Sequence, residues 1–231
     1  MREIVLDTET TGFEPSEGHR IVEIGAVELF NHMPTGRTYH QYINPQRAMP
    51  REAFEVHGLG DDFLRDKPVF KAIGQAFLDF IEDAPLVIHN AAFDVKFLNA
   101  ELGWAGFPTL RPDCAIDTLL IARQKFPGAP ASLDALCRRF GIDNSAREKH
   151  GALLDSEILA EVYLELIGGR QPDFGLNVSA AISGPSDGGT SDWRAYPRPE
   201  RLPGRLTETE AAAHDAFVQG LGGDAIWRKR A

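Results

Sequence analysis

Apolar and polar positions in this chain fall first into short strand-like runs and then into helix-like stripes. Ile4-Val5-Leu6 is a β-branched and apolar run that predicts a buried strand. Residues 21–30 predict a second strand and residues 37–43 a third, and their short connections make the three an antiparallel meander. A short helix is expected over 50–54, with Pro50 tolerated in its first turn and Val56-His57-Gly58-Leu59 breaking it. The spacing of Val69, Ile73, Phe77 and Phe80 or Ile81 predicts a helix over 68–81. Residues 85–89 predict a fourth strand, and Asn90 an N-cap for a helix over 91–102. A short fifth strand falls within 113–116, and helices follow over 117–125, 132–140 and 152–167. A meander followed by alternating strands and helices predicts an α/β fold, a five-stranded mixed sheet flanked by helices.

The pattern fades near Gly168-Gly169, which bounds a main domain at 1–170. Residues 171–206 hold 14 Gly, Pro or Ser among 36, the composition of a flexible linker. Helical character returns over 207–231, where Thr207 and Glu210 have the spacing of a capping box. That segment is too short to form a core alone, so it is expected to dock on a partner. No apolar run approaches the ~20 residues that cross a bilayer, so no membrane is expected. The first strand begins almost at Met1, which leaves no room for a leader. Cys114 and Cys137 lack any zinc-pair neighbour and are expected as reduced thiols in a cytoplasmic protein, with Cys114 in the core.

Chemistry concentrates at the end of the first strand. Asp7 and Glu9 are two residues apart, so in an extended chain both point to one face. Close carboxylates repel, and a divalent cation with a preference for hard oxygen ligands removes that conflict. As isolated residues, Asp7 would open a turn at Thr10-Thr11-Gly12 and Glu9 would be solvated. In His89-Asn-Ala-Ala-Phe-Asp94 a strand delivers the chain to a helix whose first turn carries Asp94, a position equally suited to a dipole partner. In His150-Gly-Ala-Leu-Leu-Asp155 the aspartate lies early in the last long helix, and the histidine precedes it on a loop. At i and i+5 the two lie about 140° apart around a helix and do not share a face. Asp7, Glu9, Asp94 and Asp155 with His150 suit two divalent cations and a base that takes a proton from water. Asp117 is expected to cap the following helix, Asp134 and Glu157 to be solvated, and Arg138-Arg139 to form an exposed helix face, phosphate contact being the lesser alternative.

Together, Asp-x-Glu-Thr-Thr-Gly at 7–12, His-Asn-Ala-Ala-Phe-Asp at 89–94 and His-x-x-x-x-Asp at 150–155 resemble the three motifs of the DnaQ-like DEDDh 3′–5′ exonucleases. The sister group has tyrosine four residues before the last aspartate, where this chain has Gly151. The resemblance implies a ribonuclease-H-like fold whose first three strands are antiparallel. It implies Mg²⁺ or Mn²⁺ bridged by Asp7, with Glu9 and Asp155 on the water-activating ion, Asp94 on the other, and His150 as general base. It also implies that Asp7, Glu9, Asp155, Glu52 and His57 meet the bound 3′ nucleotide. Asn90 and Phe93 would line the terminal nucleotide, although Phe93 suits the core equally well.

The tail is similar to that of family members that proofread for bacterial replicative polymerases. Thr207-Glu-x-Glu-Ala-Ala-Ala-His-Asp with Trp227-Arg228 resembles their polymerase alpha-subunit-binding segment, and Gln171-Pro-Asp-Phe-Gly-Leu176 resembles a sliding-clamp peptide or else simple linker chemistry. The net charge of −10 sits oddly with a DNA substrate, since residues 1–170 carry 17 Lys and Arg against 26 Asp and Glu. Acids consumed as metal ligands, or a partner that supplies the basic surface to a tethered nuclease, would resolve it. The resemblance therefore implies DNA proofreading at a primer 3′ end. The alternatives are a stand-alone exoribonuclease of the oligoribonuclease or ribonuclease-T kind and, because the motifs are intact less plausibly, an inert binding scaffold.

Overall fold

A computed structural model describes residues 1–111, 113–145, 149–168 and 207–221. The chain divides into two units, Met1–Gly175 and Leu176–Ala231. In the first, strands β1 (Arg2–Thr10), β2 (Ile21–Phe30), β3 (Met33–Tyr42), β4 (Leu86–Ile88) and β5 (Ala115–Asp117) form one sheet in the order β3-β2-β1-β4-β5. β1 pairs antiparallel with β2 and β2 with β3, whereas β1–β4 and β4–β5 are parallel. Helices α1 (Arg51–His57), α2 (Asp61–Leu64), α3 (Phe70–Ile81), α4 (Ala91–Ala105), α5 (Thr118–Lys125), α6 (Leu133–Phe140) and α7 (Ala152–Ile167) complete it. This is the expected mixed sheet, with its first three strands antiparallel.

β1 is central and buried on both faces, as a continuous apolar run requires. Ile4 and Leu6 join Phe77, Phe97 and Leu102 of α3 and α4 on one side. Val5 joins Leu159, Ala160 and Tyr163 of α7 on the other. The strand runs on to Thr10 rather than stopping after Leu6, because the backbone ladder to β2 continues through Asp7↔Gly25 and Glu9↔Glu23. The carboxylates thus lie within the strand, held by its hydrogen bonds, and not beyond its end.

Other differences from the sequence reading have local causes. β3 starts at Met33 instead of 37 because Asn31 and His32, with φ of 50° and 65°, make a tight hairpin turn. Pro34 and Gly36 disguised that first half, which an exposed edge strand tolerates. α1 continues past Phe54 to His57, and Gly58 (φ 75°) stops it by donating its N–H to the Phe54 carbonyl. α3 buries Phe70 rather than Val69, which is its N-cap. α4 extends beyond 102 to Ala105, and the four-residue α2 has no apolar stripe long enough to announce it.

In the second unit, α8 (Glu208–Gly220) begins with the expected capping box between Thr207 and Glu210. The clamp-like peptide 171–176, the linker 171–206 and Trp227-Arg228 lie outside the described residues. No helix among the described residues is long and apolar enough to cross a membrane.

Candidate active site

Parallel β1, β4 and β5 all end at one edge of the sheet, the place where α/β sheets open a crevice. Asp7 and Glu9 share the β1 face of Val5, which is covered by α7. Asp155 sits in the first turn of α7 and is buried. Glu9, His150 and Asp155 each bring one metal-ligating atom to within 4.8 Å of the others. His150 Nδ1 lies 3.5 Å from Asp155 Oδ2, and with half its side chain exposed the imidazole can exchange protons with solvent. Its backbone N–H donates to the Val56 carbonyl at 3.3 Å, which ties the loop before α7 to α1.

Asp94 enters from α4, on the opposite face of the sheet. Thr8 points that way, and its N–H and Oγ1 both donate to Asp94 Oδ1, at 3.1 and 2.7 Å. Burial pushes the Asp94 carboxyl up to about 7 against the lowering effect of those bonds. A buried carboxylate held uncomfortably in its charged form calls for a cation beside it. Asp7, Glu9, Asp94, His150 and Asp155 all line one cavity of about 610 Å³.

A second cavity, of about 470 Å³, shares Thr8, Glu9, Phe13 and Phe93 with the first. Glu52 and His57 line it, Glu52 exposed and His57 buried. Leu59 N–H donates to His57 Nδ1 at 3.0 Å, so the ring proton sits on Nε2. Nε2 is buried and turned toward the Thr10 carbonyl without completing a hydrogen bond. Desolvation holds this imidazole down to about 4, so at neutral pH it offers an N–H and no charge.

The model of the exonuclease family matches residues 4–163. The chain is 46% identical to DNA polymerase III subunit epsilon of Salmonella typhimurium over 243 aligned positions, covering 98% of this chain and 97% of that protein. The chain belongs to the DNA polymerase III epsilon subunits. The Rickettsia felis epsilon subunit is 57% identical over 177 residues, 75% of this chain and 77% of its own length. Solved structures share the fold. Exonuclease X in complex with 5′ overhanging duplex DNA superposes with a TM-score of 0.55 at 24% identity, over 71% of this chain and 90% of that one. The nuclease domain of 3′hExo, a DEDDh family member bound to rAMP, gives 0.60 at 20% identity, over 72% and 91%.

Epsilon-family membership brings divalent-metal use with it, and the donor set fits: clustered hard oxygens, with Asp94 in want of positive charge. Asp7, Glu9 and Asp155 from one face and Asp94 from the other are the residues able to hold such ions.

Several neighbours differ from their sequence reading. Asn90 occupies the N-cap position of α4 at φ 68° but makes no side-chain cap. The Asp117 carboxylate instead accepts from the N–H groups of Asn90 and Ala91, both at 3.2 Å, and also caps α5 as expected. Asn90 still lines the larger cavity. Phe93 serves both readings, packing on the core and lining both cavities. Asp134 is not simply solvated: it is half-buried in the wall of the larger cavity and accepts from Asn144 Nδ2 at 3.0 Å. The cap of α6 brings it there, which no local pattern encodes. Thr8, Leu119 and Arg123 are further wall residues that the motifs passed over. Glu157, Arg138 and Arg139 are exposed, and Cys114 packs against the core.

Proposed function

We propose that this protein is the proofreading 3′–5′ exonuclease of a replicative DNA polymerase, hydrolysing the 3′-terminal phosphodiester of a frayed primer. The observation that carries the reading is the convergence of Glu9, Asp155 and His150 at the end of β1, beside buried Asp94, in a chain of epsilon-subunit family. Asp7, Glu9 and Asp155 on one face of the sheet, and Asp94, oriented by Thr8, on the other, would hold the divalent cations. When bound, Mg²⁺ or Mn²⁺ supplies the positive charge that steadies the attacking and leaving oxygens. His150, oriented by Asp155, takes the proton as the water oxygen bonds to phosphorus. The P–O3′ bond breaks, releasing a 5′-nucleotide and a strand one residue shorter with a new 3′ hydroxyl. Glu52 and the uncharged His57 ring flank the departing nucleotide in the smaller cavity, with Phe93 and Asn90 at its approach.

Residues 207–231, which include α8, bind the polymerase alpha subunit, and 171–176 contacts the sliding clamp through its apolar positions. A partner that brings the primer to a tethered nuclease reconciles an acidic domain with an anionic substrate.

The test is digestion of a 3′-labelled primer–template with a paired or mismatched end, with Mg²⁺ and with chelator, beside an RNA oligomer of equal length. Stepwise, chelator-sensitive loss from the DNA 3′ end, faster at the mismatch, is expected, and preference for RNA would overturn the proofreading reading. Asp7→Ala and His150→Ala should each lower kcat by at least about a hundredfold, as loss of a general base does, with folding nearly unchanged. Retention of most activity by either variant would sink the site assignment.

A further inference from the structure

Resting on the exonuclease reading above, we propose that Arg123 is a substrate-binding residue that grips a backbone phosphate on the 5′ side of the scissile bond. Among the described residues lining the larger cavity it is the one arginine or lysine, in a wall that also carries Asp7, Glu9, Asp94, Asp134 and Asp155. Six other arginines of the domain are engaged with acids. Arg2 and Arg37 share Glu28, Arg20 holds Glu101, and Arg51, Arg65 and Arg111 pair with Glu55, Asp62 and Asp113. Arg123 forms no ion pair with a described residue, although acids surround the cavity it faces. A guanidinium turned to an acidic cavity without settling on a carboxylate is available to an anion that enters with its own metal ions.

Its placement is rigid. Leu119 and Arg123 are one turn apart on α5 and both line the cavity. Asp117 accepts from Leu119 N–H at 2.9 Å to start α5, and from Ala91 N–H at 3.2 Å at the start of α4, the helix that carries Asp94. The helix bearing the guanidinium is thereby tied to the helix bearing a metal-site carboxylate. The register follows from the cavity layout. The terminal nucleotide occupies the Glu52 and His57 cavity, the carboxylates surround the scissile phosphate, and Arg123 lies in the wall of the larger cavity alone. A strand that enters there and ends at His57 passes Arg123 before it reaches the scissile bond.

The experiment uses the full-length chain with Mg²⁺ on 3′-labelled single-stranded DNA. One oligomer is unmodified, and three others carry a single uncharged methylphosphonate at the first, second or third phosphate 5′ of the scissile one. Arg123→Ala should raise KM about tenfold, the loss of one charge-assisted hydrogen bond, with kcat little changed. Arg123→Lys should fall between, keeping charge without the fork. The slope of log KM against log salt should shrink by about 0.7, one phosphate contact on a single strand. The Arg123→Ala penalty should vanish on one methylphosphonate oligomer, whose gripped phosphate is already neutral. An equal penalty on all the oligomers would mean that Arg123 merely offsets the acidic wall, and would overturn the assignment, as would an unchanged KM. A wild-type enzyme that cleaves the unmodified oligomer while Arg123→Ala matches it overturns this assignment alone. A wild-type enzyme that leaves the oligomer intact overturns the exonuclease reading as well.

Discussion

At the scale of single residues, the site is a contest between burial and charge, and Asp94 shows how it is settled. Its carboxyl is raised from the ordinary 3.8 to about 7 by burial. The unfolded chain therefore gives up this proton near pH 4 while the folded chain keeps it to about 7. In metal-free protein the group's contribution to stability is fully present below pH 4 and is lost as pH rises toward 7. Bound divalent cation favours the anion and reverses that loss. Melting curves should show a larger Mg²⁺-induced stabilisation at pH 8 than at pH 5. Asp94→Asn should raise the metal-free Tm at pH 8 by about 3 °C or more, the effect of roughly 1 kcal/mol in a domain of this size, while weakening the response to Mg²⁺. A metal response independent of pH would contradict the assignment of Asp94. His57 runs the opposite way: burial holds it down to about 4, so the ring stays uncharged at neutral pH.

At the scale of elements, the decisive contact is that of α7 on the sheet. Gly25 of β2 stands directly opposite Asp7 of β1. A Cβ built there would lie 2.1 Å from the Leu153 nitrogen and 2.2 Å from the Ala152 carbonyl carbon, so the backbone of α7 occupies the space a side chain would need. Ser156 Oγ donates to the Gly25 carbonyl at 2.9 Å and locks the approach. That close approach carries Asp155 to Glu9. Gly25→Ala must push the first turn of α7 outward, and a displacement near 1 Å at the chemistry costs about a hundredfold in rate. The expected outcome is a folded protein by circular dichroism, with kcat reduced about a hundredfold and Tm lowered. Activity near wild type would mean that α7 does not need this contact. The glycine lay inside a run read only as a strand, because strand alternation says which face a residue takes and nothing about what lands on it.

At the scale of the molecule, the described members of all three core clusters lie between Ile4 and Ile167. α8 buries no residue. A chain ending at Gly168 should therefore fold and digest single-stranded DNA with kcat/KM within about twofold of the whole protein, and lose co-elution with the polymerase alpha subunit. Loss of nuclease activity on truncation would show that the tail belongs to the catalytic unit. Retained co-elution would place the polymerase contact on the domain. Such a division of labour along the chain, if the truncation bears it out, would explain how an acidic nuclease domain serves an anionic substrate. On the proposed reading, local concentration would come from the tether, and the cavity would have only to capture an end already delivered.

Sequence alone determined what depends on short-range pattern. β2 and α7 begin and end where their apolar periodicity does. The capping box of α8 and the Asp117 cap of α5 follow from side-chain chemistry within three residues. The four carboxylates and His150 were ambiguous one by one, and became legible as a set only because the three motifs at 7–12, 89–94 and 150–155 together resemble those of one nuclease family. Tertiary structure decided what depends on residues far apart in the chain. It set the length of β1, which the ladder to β2 carries on beneath Asp7 and Glu9, and the hold of Thr8 on Asp94 across 86 positions. It also set the replacement of Asn90 by Asp117 at the start of α4, and the entry of Asp134 and Arg123 into the cavity wall. Periodicity reports the face a side chain takes, and only packing brings two faces together.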